Sequence, residues 1–229
     1  MLISAAPGSA QKGMEYSITP YLWASALDGS IGLGDISAEV DVPFSDLLDA
    51  VDVVIPIHFE AKGGKWALAF DVSYSALSQD LEVPDPINGE TDIDLLFLEL
   101  WAAWDVSPTF AILFGSRYVD MDIDLEIVPP GPLPALKTGA GQNWVDPIVG
   151  FRYHGSIGRR WQYWLRGDLG GFGLGSDLSW QVRLGFLRQL SQVTSLSLGY
   201  HWLDIDYDQN NFAYDMLMSG PEIGFRFKF

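Results

Sequence analysis

Ten ionisable side chains sit in stretches that otherwise alternate with Leu, Ile, Val, Phe, Tyr and Trp: Asp71, Glu99, Arg117, Asp146, Arg152, Arg166, Asp168, Arg183, Glu222 and Arg226. Five are arginines and five are acids. A guanidinium forks onto a carboxylate through two parallel hydrogen bonds, and this mixture suits that chemistry. Arg166 and Asp168 lie two residues apart, so on a strand they share one face. Unpaired charges in a narrow space would lose hydration without compensation, so the expectation is a network of paired charges.

A second group is purely acidic. Asp120, Asp122 and Asp124 alternate with apolar residues, as do Asp204 and Asp206. Oxygen-rich clusters suit Ca2+ or Mg2+, which makes weak divalent binding the sharper expectation. No EF-hand-type loop is present, and charged rims are ordinary at solvated strand ends, so a solvated rim is the stronger reading.

The three histidines are the candidates for general bases. His201 shares a face with Ser197, and His154 with Arg152 and Asp146, yet no nucleophile–base–acid triplet stands out. Hydrolysis of lipid would need such groups on a lipid-contacting surface, whereas all three fall on the charged parity. The glycine strings Gly29 to Gly34 and Gly170 to Gly175 lack the strand-then-helix context and the lysine of a phosphate loop. No cofactor is expected.

Strands must position these groups. In Asp52 to Lys62, Val53, Ile55, Ile57, Phe59 and Ala61 alternate with Asp52, Val54, Pro56, His58, Glu60 and Lys62. After the turn Lys62-Gly63-Gly64-Lys65, Trp66, Leu68, Phe70, Val72 and Tyr74 alternate with Ala67, Ala69, Asp71 and Ser73, which predicts a hairpin. Similar segments follow at Thr109 to Tyr118, Val145 to His154, Trp161 to Phe172, Leu178 to Leu190, Ser195 to Tyr207 and Met216 to Phe229. Each reaches the roughly 9–11 residues that a tilted strand needs to cross a bilayer. Asp92 to Trp104 is less clean because Leu95 to Leu98 is continuously apolar; Glu99 is placed inward there.

With Tyr16 to Ala26 closing the ring, ten spanning strands are expected, with eight or twelve as alternatives. Leu27 to Ala50 reads as an external excursion, a hairpin of Ser30 to Gly34 with Ile36 to Val42 and then a short helix capped by Ser45. Short connections at Lys62 to Lys65, Val106 to Pro108, Gly155 to Arg160 and Ser191 to Thr194 are expected in the periplasm. Longer ones at Asp80 to Thr91, Ile127 to Gly141 and Asp206 to Asn211 are expected outside the cell. Residues 1–14 are expected to be a disordered tail and 15–229 one barrel domain.

Which face is wet follows from the charges. Were the charged rows outside, the apolar rows would have to pack Trp66, Phe70, Tyr74, Phe110, Phe114, Tyr118, Phe151, Tyr153, Trp180, Phe186, Tyr200 and Trp202 into one small barrel. Such a barrel cannot hold so many rings, whereas a lipid-facing surface has room. The fold class is therefore all-β, a transmembrane antiparallel up-and-down barrel, and its expected location is the bacterial outer membrane among outer-membrane lipids. The absence of any apolar run of about 18 residues argues against a membrane helix. The net charge of −17 argues against nucleic acid, and the absence of Cys rules out disulfides and thiolate chemistry.

The last strand, Pro221 to Phe229, looks like the closing strand of outer-membrane barrels, with alternating apolar residues and a terminal Phe. That resemblance implies recognition of Phe229 by the barrel-assembly machinery. From Tyr16 onward the chain resembles a broad proteobacterial group of uncharacterised outer-membrane β-barrel proteins. The resemblance rests on Thr19-Pro20-Tyr21-Leu22-Trp23, Phe44 to Asp49, Trp144 to Gly150, Arg166 to Gly173 and Gly199 to Tyr207. The group transfers no activity. The expected function is a non-enzymatic envelope or interaction role through external loops, with a charge-plugged lumen. A narrow channel or carrier for small solutes is the alternative, and a membrane-embedded lipid hydrolase the second.

Overall fold

The computed structural model describes residues 13–34, 36–45, 51–81, 88–128 and 134–229. Twelve strands form: β1 (Glu15–Trp23), β2 (Ala26–Leu33), β3 (Ile36–Val42), β4 (Val51–Gly63), β5 (Trp66–Leu81), β6 (Asn88–Asp105), β7 (Phe110–Val128), β8 (Leu136–Ile157), β9 (Trp161–Gly171), β10 (Leu178–Gln189), β11 (Thr194–Gln209) and β12 (Phe212–Lys228). All neighbouring pairs are antiparallel, and β1 pairs with both β4 and β12, so β1 and β4 to β12 close into a ten-stranded barrel. Closure leaves no backbone edge in the membrane, where each unpaired N–H or C=O would cost several kcal/mol. The two ends of the chain clasp the seam: Tyr16 and Phe229 exchange backbone hydrogen bonds of 3.2 and 3.0 Å.

The β2–β3 hairpin adds no eleventh or twelfth stave to this ring. β2 continues along β12 in the register of β1, from Trp23 opposite Glu222 to Ala26 opposite Ser219. The hairpin therefore extends the wall at one end. Phe44 and Ser45 form a helical turn after it; the rest of the expected short helix lies outside the described residues, as do residues 1–12 of the expected tail.

At one end the strands are joined by short turns, around Gly64, Pro108, Gly158 and Gln192. At the other end the sequence-based loop assignments need correction. Strand pairing continues through Asp80 opposite Glu90 and through Leu136 to Gly141 opposite Asp122 to Ile127. The third expected long loop is a tight turn, with Asn210 and Asn211 at φ of 55° and 62° between Gln209 and Phe212. Asn tolerates this left-handed backbone, which matches the twist of a hairpin. Long polar stretches read as loops in the sequence because water-facing antiparallel strands are as polar as loops.

Within the membrane band the barrel is inside out. Leu68, Phe70, Leu100, Ile112, Phe114, Val149, Phe151, Leu184, Phe186, Leu198, Ile223 and Phe225 all point outward and are 39–54% exposed. Asp71, Glu99, Arg117, Arg166, Asp168, Arg183 and Glu222 point inward and are at most 8% exposed. Above the band, towards the loop end, the two faces exchange chemistry without a change of phase. On β7 the outward row Phe110, Ile112, Phe114 and Tyr118 runs on into Asp120, Asp122 and Asp124, while the inward row passes from Arg117 to Val119 and Met121. The outer part of the wall is thus built like a soluble barrel, apolar inside and polar outside. The exchange marks where lipid ends. Tyr74 and Tyr118 straddle it, their hydroxyls donating to Asp94 (2.7 Å) and Asp120 (2.9 Å).

Candidate functional site

The lumen holds three layers, and strand register builds the middle one. On one wall β4 to β8 bring His58, Asp71, Glu99, Arg117 and Asp146 side by side as cross-strand neighbours. On the facing wall β8 to β11 align Arg152, Arg166, Arg183 and His201. Like charges directly opposite one another repel, so three adjacent arginines are tolerable only if each finds its own carboxylate.

They do. Arg117 donates from Nε to Glu99 Oε1 (2.8 Å) and from Nη2 to Asp168 Oδ1 (2.7 Å). Arg166 lies 2.7 Å from Glu99 Oε2 and 2.8 Å from Asp168 Oδ2. The four residues make a closed ring in which each guanidinium bridges both acids. Ser179 and Gln181 complete it, at 3.2 Å from Arg117 Nη1 and 3.0 Å from Glu99 Oε1. In a second cluster Arg183 donates to Glu222 (2.8 Å) and Asp71 (3.3 Å). Asp71 also accepts from the Tyr21 hydroxyl at 2.7 Å, and His58 Nδ1 lies 3.0 Å away.

Three of the ten sequence-selected residues stand outside these clusters. Arg152 pairs with Glu60 and stacks over Trp101. Glu60 was not selected from the sequence, although it shares the parity of His58. Asp146 pairs with no arginine: it accepts from Ser176 N and Ser176 Oγ, both at 2.7 Å, and so pins the β9–β10 connection over the lumen. Arg226 has no ion-pair partner among the described residues and turns towards the short-turn end. His201 stacks on Trp23 at 3.9 Å, and neither ring nitrogen has a hydrogen-bond partner among the described residues.

The layer on the loop side is apolar, which corrects the expectation of a purely polar plug. Phe97, Val119, Met121, Trp144, Leu203, Ile205, Tyr207, Phe212, Tyr214, Met216 and Met218 form one buried cluster. Trp144 stacks on Tyr207 at 4.1 Å, and Gln142 Nε2 donates to the Tyr207 hydroxyl at 2.6 Å. The signal was present in the sequence: Val119 and Met121 continue the parity of Arg117, and Leu203, Ile205 and Tyr207 that of His201.

Towards the short turns the lumen opens into a vestibule of about 860 Å3, floored by Trp101 and Arg166 and lined by Glu60, Arg152, Trp164 and Arg226.

The acidic rim lies on the outside of the wall. Asp122, Asp124 and Asp206 are exposed, and Asp120 and Asp204 half-buried. Asp120 to Asp124 on β7 and Asp204 to Asp206 on β11 are separated by three strands, so they cannot share one ion. Among the described residues no group of three or more His, Asp or Glu is placed to hold a metal. Cross-strand neighbours are instead like-charged: Asp92 faces Asp124, Asp94 faces Asp122, and Asp206 faces Asp215.

With a closed antiparallel ring, an apolar outer band and a charged lumen described, the comparison with solved structures is decisive for the fold. The translocator domain of the autotransporter NalP from Neisseria meningitidis superposes with a TM-score of 0.53 at 9% identity, over 97% of this chain and 90% of that one. This is the fold of an outer-membrane β-barrel. The outer-membrane protease OmpT from Escherichia coli (TM-score 0.49, 7% identity, 97% and 99% coverage) and Ail of Yersinia pestis (0.40, 6%, 95% and 99%) also match. No protein-family model and no curated protein matches the chain.

Proposed function

We propose that this protein is a closed barrel of the Gram-negative outer membrane, with a non-enzymatic envelope or interaction role carried by its loop end. The observation behind this reading is the filling of the lumen: the ion-paired ring of Glu99, Arg117, Asp168 and Arg166 backed by a continuous aromatic and methionine cluster. Ions moving along the axis would have to break the Glu99–Arg117–Asp168–Arg166 ring and then part the Trp144–Tyr207 stack. Orientation follows from the wall itself. The end where strands outrun the apolar band faces the outside, and the short-turn end faces the periplasm, as in outer-membrane barrels generally. Phe229 at the seam is proposed as the signal read by the assembly machinery.

Planar-bilayer recording tests the reading. The folded protein should show negligible single-channel conductance; a steady current on the nanosiemens scale would promote the channel alternative.

A further inference from the structure

The vestibule plays no part in closing the barrel, yet its lining is unusual for this chain. Six of the 13 Lys and Arg residues line it, against four of the 30 Asp and Glu. Each of those four acids already holds a cation: Glu60 with Arg152, Asp105 with Lys62, Glu15 with Lys228, and Glu222 with Arg183. Arg226 is the lining cation left without a carboxylate among the described residues.

Hydrogen-bonding capacity is one-sided in the same direction. Seven buried atoms of lining residues have no hydrogen-bond partner among the described residues: Arg152 Nε, Arg166 Nε and Nη2, Arg226 Nε, Trp101 Nε1 and Trp164 Nε1 can only donate, and the Thr19 hydroxyl can donate or accept. Buried donors without acceptors are costly, so what complements this surface is rich in acceptors and negatively charged. A volume of about 860 Å3 falls within the range of small-molecule sites. We infer that the vestibule is a binding site for a small organic oxyanion, a carboxylate or phosphate entering from the short-turn end. Arg226 is its anchoring cation, and the Arg152 and Trp164 donors flank it.

The test is calorimetry on the full chain folded in an uncharged detergent, with heat-modifiable gel mobility as the check that each variant is folded. Succinate, citrate and inorganic phosphate are the probes; succinamide and putrescine are the neutral and cationic controls. The anions should bind, more weakly as salt rises, and the controls should not. Preference between succinate and phosphate separates a carboxylate from a phosphate site. Arg226→Gln should weaken binding about tenfold or more, the loss of one charge-assisted hydrogen bond. Glu60→Gln releases Arg152 and should tighten it, so the inference stays testable even if Arg226→Gln fails to fold. No heat from any anion at millimolar concentration, equal binding of succinamide, or weaker anion binding by Glu60→Gln would each overturn the assignment. None of these readouts depends on whether the barrel conducts.

Discussion

A fully buried arginine tolerates no loss of its partners. Arg117 is 0% exposed and is held by Glu99, Asp168 and Ser179, so Arg117→Met leaves two buried carboxylates to share Arg166 alone, with one negative charge uncompensated. Breaking a buried pair from one side costs about 3–5 kcal/mol. Urea unfolding in lipid should show a loss of that size, and much of it should return when Asp168→Asn is added, which leaves one acid, Glu99, for the one remaining cation, Arg166. An unchanged midpoint for the single variant would mean that the ring is not formed. Asp146 makes the contrasting case, since its oxygens hold a loop. Asp146→Asn should raise hydrogen exchange at residues 172–177 while leaving the rest of the barrel protected.

At the scale of a strand, the exchange of face chemistry along β7 predicts position-dependent tolerance. Ile112→Arg, like Leu184→Arg on β10, puts a cation on the lipid side and should cost about 2–4 kcal/mol near the midplane, whereas Asp122→Arg, beyond the lipid, should cost about 1 kcal/mol or less. Equal effects at Ile112 and Asp122 would refute the position of the boundary. The opposed pairs Asp92–Asp124 and Asp206–Asp215 repel in the folded state. Screening should therefore raise the unfolding midpoint. Calcium and sodium chloride should act alike at equal ionic strength if the rim is only solvated; a rise specific to calcium would show a bound cation.

For the molecule as a whole, two successive seals mean that breaching one is not enough. Arg166→Ala should lower thermal stability without producing conductance, because the cluster around Trp144 still closes the lumen. Current should need Trp144→Ala and Tyr207→Ala in addition. Conductance from Arg166→Ala alone would show that the apolar layer does not seal. In intact cells, protease should cut in the connection 129–135 and spare the turn after Gln189; cleavage at that turn would reverse the orientation.

Period-two alternation determined the strands, and the count of aromatic rings against available volume determined which face meets lipid. Both are properties of a strand and its immediate solvent, so Asp71, Arg117, Arg166 and Arg183 were legible as inward residues from the sequence alone. Tertiary structure decided what parity cannot: which inward residues meet. Register between strands far apart in the chain set Arg183 beside Asp71 and Glu222, gave Arg152 to Glu60, sent Asp146 to Ser176 and left Arg226 without an ion-pair partner among the described residues. It also decided that Asn88 to Thr91, Leu136 to Gly141 and Asp206 to Gln209, expected in loops, are wall. Alternation fixes a direction for each side chain but not a height along the barrel axis. Ion pairing acts over about 3 Å, so the height chooses the partner.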